Sequence, residues 1–340
     1  MRNIYFENEP EDQRYAYASS LVRCFENNLL DEIKVERLLE AENTDEVIRL
    51  LQDTPYGPFI TPGKYTGNYE KILSDRRQEV YKFFDKYCID DLPKEFIHAT
   101  FDYSNLKLIL KKQILILEKK IEEEKEYKLF SPLGSISKEI FLNEEEDNVL
   151  LPRHIHNAMQ EAMVKYYATK DPRKVDMVCD ISLYKYLKSI VVKMKSAFMK
   201  ELLEVMVDGI NISSLIRLRN FHDAEDIADY VFCDGGSVEP EVWRDKYNLP
   251  IEEIKSILNS YELSEYSQVI DRKTEEVEKT ADSLFANLLR QSRFFLSGVE
   301  ILISFIFSVE QEMKILRKIF VGKENSIPSV KIKSRLSEVI

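Results

Sequence analysis

The chain has 340 residues, 44% of them apolar and 32% charged, the balance of a folded chain rather than a disordered one. Glycine occurs only 9 times and proline 11 times, which leaves little material for a glycine-rich phosphate loop or a turn-dense β fold, since glycine usually runs near 7%. Sixty acids against 48 bases give a net charge of −12, which argues against nucleic acid as a partner, because phosphate backbones call for a basic surface.

Long runs of Leu, Ile, Glu and Lys favour helix along most of the chain, so the predicted fold class is all-α. Residues 14–30 carry Tyr17, Leu21, Phe25 and Leu29 at spacings of four, the apolar stripe of a first helix. Asn43 and Glu46 in "NTDEVIRLLQ" have the spacing of a capping box and open a second. "DTPYGPFITPG", Asp53 to Gly63, is a loop dense in Pro and Gly that closes this first group. Two long helices are predicted over 66–90 and 93–127, the second ending in the charge run Glu118–Tyr127, which reads as a solvated helix face.

A loop around "SPLGS" (Ser131–Ser135) and the acidic "NEEEDN" (Asn143–Asn148) precede helices predicted over 155–168, 173–207 and 209–221. "CDGGSVEP", Cys233 to Pro240, holds the only Gly-Gly pair and marks a second boundary. The last group is predicted over 250–260, 272–293 and 298–321. Its most apolar stretch, "FFLSGVEILISFIF" from Phe294 to Phe307, has 14 residues and contains Glu300, too short for the roughly 20 helical residues that cross a bilayer. No basic N-terminal region leads into an apolar run, so no signal peptide is expected. Cys24, Cys88, Cys179 and Cys233 lie far apart without a CxxC pair, the pattern of reduced, mostly buried thiols in a cytoplasmic protein.

One helical signature recurs. "DYSNLKLILKK" from Asp102 and "DGINISSLIRL" from Asp208 each place an acid, an asparagine three residues on, and apolar residues at +4, +7 and +8. A third copy, "EMKILRKIFVG" from Glu312, keeps the acid and the apolar offsets (Leu316, Ile319, Phe320) but has Ile315 where the asparagine stood. The acids are 208 − 102 = 106 and 312 − 208 = 104 residues apart. Such a long-period repeat points to three related helical units, over 1–127, 128–222 and 223–340. In the second copy Asp208 is expected to open its helix. The acid and the asparagine share one helix face, where they satisfy neighbouring backbone or hold helices in register, or else bind a ligand.

Candidate catalytic groups are few. His154 and His156 in "HIH", with His222–Asp223, are the residues that an HD-type metal-dependent phosphohydrolase would need to converge on a metal. Histidines two apart on a helix point away from one another, so they are expected to be surface or capping residues. No P-loop, nucleophile elbow or paired zinc ligands occur. No residue is therefore assigned as catalytic, cofactor-binding or metal-binding, and no cofactor is expected.

Four stretches, in order along nearly the whole chain, carry a family resemblance: Tyr15–Gly57 ending in "DTPYG"; "DYSNLKLILKK"; "DGINISSLIRLRNF" followed by "DGGSV"; and "SGVEILISFIFSVEQEMKILRKIFVGKENSIPSVKIKSRL" from Ser297 to Leu336. They resemble the C subunit of prokaryotic V/A-type ATPases, the counterpart of the d subunit in the eukaryotic vacuolar enzyme. In two places the chain departs from the family's pattern, with Ile301 where a proline is usual and Ile315 where an asparagine is usual. The resemblance implies a funnel of three related helical domains about a pseudo-threefold axis and no active site. It further implies a rotor role between two partners, the central shaft of the ATPase head and the membrane proteolipid ring, coupling ATP hydrolysis or synthesis to proton or sodium transport. The expected location is the cytoplasmic face of the membrane, held through the complex with no span of its own. A free-standing helical-repeat scaffold has the same composition and repeat but no such ring to bind.

Overall fold

The computed structural model describes residues 11–60, 68–118, 129–142, 151–221 and 224–336, and among them every regular element is helical. In chain order the helices begin with α1 (Ala16–Glu26), α2 (Glu32–Glu40), α3 (Thr44–Leu50), α4 (Tyr69–Tyr87) and α5 (Asp91–Leu117). Then come α6 (Lys138–Phe141), α7 (Arg153–Thr169), α8 (Arg173–Met194), α9 (Ala197–Arg219) and α10 (Ala224–Ala228). The remainder are α11 (Pro240–Lys246), α12 (Ile251–Ser260), α13 (Ser264–Ser267), α14 (Thr274–Gln291), α15 (Val299–Glu324) and α16 (Ser329–Ser334). Most of the charge run after Glu118, the acidic stretch from Asn143, Thr61–Gly63 of the first loop, and His222–Asp223 lie outside the described residues. No described helix is long and apolar enough to cross a membrane.

The helices form two compact units. One comprises the chain up to Asp90 together with the chain from Asp271, and the other runs from Asp91 to Ile270. In the first, α15 is the axis: it packs against α1, α3, α4, α14 and α16. Its apolar residues face nearly every direction, and Ile301, Ile303, Phe305, Val309, Leu316 and Ile319 are all buried. Each such side chain contributes roughly 1.5–3 kcal/mol by leaving water. In the second unit, α5 packs against α7 and α8, and α8 continues onto α9.

Caps account for several helix starts. The Asn43 side chain accepts from the Glu46 amide (3.0 Å) while the Glu46 carboxylate accepts from the Glu42 amide (2.6 Å), so the predicted box forms with its return bond one residue early. Asp31 caps α2 in the same way, through the Lys34 amide at 2.8 Å.

The structure corrects three expectations. The stripe Tyr17–Leu21–Phe25–Leu29 is not the buried face of α1: Tyr17 is 67% exposed, and the core side is Tyr15, Ala18, Ser19 and Val22. The helix ends at Glu26, so Leu29 lies beyond it, and Tyr17 and Phe25 belong to an aromatic layer with Tyr87, Phe83 and Phe305. The helix predicted over 173–207 is two helices. Lys195 takes a left-handed conformation (φ 57°), and Ser196 then caps α9 by accepting from the Met199 amide at 3.2 Å. As a result Asp208 sits inside α9 rather than opening a helix.

Candidate functional site

The repeated acids are buried, and each holds a separate piece of chain. Asp102 lies inside α5 and is 3% exposed. One of its oxygens accepts from the Ser135 hydroxyl (2.6 Å) and the other from the Ile136 amide (3.0 Å). One turn on, Asn105 completes the grip in both directions. Its amide nitrogen donates to the Ser131 carbonyl (3.0 Å), and its oxygen accepts from the Ser131 amide (2.8 Å). The loop 131–136 is thereby fixed to α5 at both ends. His98, on the same helix, adds a contact of 2.6 Å to the Leu133 carbonyl.

The second copy repeats this pattern of bonds. Asp208 accepts from the Ser237 amide (2.8 Å) and the Ser237 hydroxyl (2.6 Å). Asn211, fully buried, donates to the Cys233 carbonyl (2.8 Å) and accepts from the Cys233 amide (2.7 Å). The loop residues correspond as well: Ser131 to Cys233, Gly134 to Gly236 and Ser135 to Ser237, each 102 apart (233 − 131). Both glycines are needed where they are, because a Cβ on Gly134 or Gly236 would run into the carboxylate of Asp102 or Asp208.

The third copy is built differently. Glu312, inside α15, accepts from the Leu30 amide (2.5 Å) and the Tyr56 hydroxyl (2.6 Å). A longer acid acts alone, with Ile315 in the asparagine's place, and it holds two segments, the one that leads into α2 and, through Tyr56, the one that follows α3. Burial pushes the carboxyls of Asp102 and Glu312 above the usual range, against the downward pull of their hydrogen bonds. Burial, chiefly, also raises the Tyr56 hydroxyl well above an ordinary phenol.

These contacts are structural: each carboxylate oxygen already accepts a hydrogen bond from the chain itself. Hydrogen bonds to charged groups contribute roughly 1.5–3 kcal/mol each, and leaving one partner buried and unmatched costs a similar amount. The aligned loops could have been found in the sequence, since "SPLGSI" and "CDGGSV" share their glycine and serine at one offset. The partners of Glu312 had no such signal, being 282 and 256 residues away.

The histidines do not converge. His154 is half-buried in the first turn of α7. Its ring stacks on Tyr186 at 3.6 Å between centroids and lies near Tyr103, and burial lowers its pKa to about 4. His156 lies on the other side of α7 and meets Gln160. Among the described residues no three His, Cys, Asp or Glu side chains are grouped so as to hold a metal. Cys88, Cys179 and Cys233 are buried thiols outside any disulfide, and Cys24 is exposed; burial pushes Cys179 and Cys233 up to about 12.

An all-helical chain in which a buried acid clamp recurs is of the class of repeat-built helical proteins. The family model for the ATP synthase (C/AC39) subunit matches residues 18–335, a span that includes all three clamps. The chain is 26% identical to the A-type ATP synthase C subunit of Methanocaldococcus jannaschii, over 95% of this chain and 86% of that protein. It is 25% identical to the protein of the same name from Methanosphaera stadtmanae, over 95% and 87%. It is also 19% identical to the V-type sodium ATPase C subunit of Enterococcus hirae, over 96% and 98%. The chain belongs to the ATP synthase (C/AC39) subunit family, whose members are non-catalytic subunits of V/A-type ATPases.

Proposed function

We propose that this protein is the central-stalk connector of a rotary ATPase, seated between the shaft of the catalytic head and the membrane proteolipid ring. In this role it passes rotation from one to the other, so that ATP hydrolysis or synthesis is coupled to proton or sodium movement. The observation that carries the reading is the family match across residues 18–335. A torque-bearing part must not yield under load, and the clamps are suited to that. Each replaces a mobile loop with a segment hydrogen-bonded at two or more points to the middle of a long helix. The threefold recurrence supports three related modules about a pseudo-threefold axis, broadly 1–127, 128–222 and 223–340. The Glu312 clamp adds that the segment around Leu30 is fastened to the third module's last long helix. With no described spanning helix, attachment at the cytoplasmic face through other subunits is the natural arrangement.

The test is affinity purification from detergent-solubilised membranes, followed by identification of the co-purifying chains. Shaft and ring subunits are expected together. A preparation in which neither appears, or membranes depleted of this protein that still move ions at the normal ratio to ATP hydrolysed, would overturn the assignment.

A further inference from the structure

Outside the clamps, the first unit carries a cleft of about 390 Å³ between α14, the C-terminal half of α15 and α16. That volume lies within the roughly 300–1,000 Å³ of small-molecule sites. Its walls present four cations, Lys279, Arg317, Lys318 and Arg335, against two acids, Glu275 and Glu278. This reverses the sign of a chain whose net charge is −12. The floor is apolar. Ile332 of α16 comes so close to Gly322 of α15 that a Cβ there would collide with it, and Ile327 and Val321 extend the same surface.

The cations are incompletely neutralised. Lys318 donates to the Arg335 carbonyl (3.1 Å) and lies 3.6 Å from Asp282 Oδ2, while Lys314 holds the other oxygen of that carboxylate at 2.6 Å, so two ammonium groups share one acid. Burial lowers the Lys318 pKa, against the upward pull of Asp282. Arg335 and Glu275 are 3.9 Å apart, a loose pair. Arg317 meets Glu70 through its Nε (3.0 Å). Lys279 has no ion-pair partner among the described residues.

We propose that this cleft binds an anion carried on an apolar stem, a phosphate or carboxylate group attached to a hydrocarbon chain. The head group lies among Lys279, Lys318 and Arg335 and the stem against Ile327 and Ile332. A lipid head group and a soluble alkyl phosphate share this chemistry. Binding here does not depend on the stalk role.

Calorimetric titration of the full chain with octyl phosphate tests it, with inorganic phosphate and 1-octanol as separate titrants. Saturable one-to-one binding of octyl phosphate is expected, clearly tighter than either half alone. Lys279→Glu and Lys318→Met are each expected to weaken it about tenfold, the equivalent of one lost ion pair in a partly buried setting. Lys279 is partly exposed, so Lys279→Glu keeps the test valid even if Lys318→Met fails to fold. Flotation with phosphatidylglycerol vesicles separates the sources: flotation lost in Lys279→Glu assigns a lipid, and octyl phosphate binding without flotation assigns a soluble ligand. Unsaturable binding, binding unchanged by Lys279→Glu, or inorganic phosphate binding as tightly as octyl phosphate overturns the proposal.

Discussion

At the scale of single residues, the ionisable groups His154 and Glu312 respond to acid with opposite signs. His154 holds its pKa near 4 in the folded chain, against about 6.5 when unfolded. Between those values the unfolded state binds more protons, so the contribution of His154 to stability is lost as pH falls from 6.5 toward 4. The loss should reach at most about 2 kcal/mol once solvent screening is allowed for. His154→Phe should remove that slope, and the imidazole titration of the native protein, read by NMR, should have its midpoint near pH 4. Glu312 has the reverse sign. Its folded pKa is raised by burial above the ordinary 4.5 of a glutamate, so the native state keeps its proton longer and this contribution shrinks as pH rises past 4.5. Glu312→Gln should cost about 1–3 kcal/mol, because its amide cannot accept from both Leu30 and Tyr56. Urea melts at pH 4.5 and pH 7 should show the larger gap to wild type at the lower pH.

At the scale of elements, local backbone chemistry decides most boundaries. Lys195 sits in the left-handed region between α8 and α9, at a cost of roughly 1 kcal/mol for a side chain with a Cβ. Lys195→Gly should therefore stabilise the fold by about that amount, read as a raised midpoint of denaturant unfolding. The break was not legible in the sequence because lysine and serine both tolerate helix, and the periodicity on either side continues without a proline or glycine. The capping box at Asn43 and the loops at Ser131 and Cys233 were legible, each marked by residues with a backbone preference. The pairs Asp102–Asn105 and Asp208–Asn211 also stood out by spacing alone, although what they grip needed coordinates. Alanine at Gly236 should test that grip. Its Cβ displaces the Asp208 carboxylate, and a loss of roughly 2–3 kcal/mol in thermal or urea unfolding is expected.

At the scale of the whole molecule, helix content followed from composition, since so few glycines and prolines are available to interrupt it. The grouping of residues before Asp90 with those after Asp271 did not follow, because contacts between such distant parts of the chain leave no periodic trace. If the protein transmits torque, slackening one clamp should weaken coupling before it weakens assembly. Asp208→Ala with Asn211→Ala should leave the purified complex with its full set of subunits while lowering the ions moved per ATP hydrolysed. An unchanged ratio in a variant shown to be destabilised would separate the clamps from torque transfer. The Glu312 clamp has a further consequence for how the molecule is made. Leu30 and Glu312 are 282 residues apart, whereas Asp102 and Ile136 are 34 apart. Closing the longer span carries about 2 kcal/mol more chain entropy. On the ribosome, α1 to α4 emerge first and must wait, their apolar faces uncovered, until α15 has been synthesised. The second unit, wholly contained between Asp91 and Ile270, can fold in the interval. Birth order and folding order therefore run opposite, and the earliest helices made are among the last to find shelter.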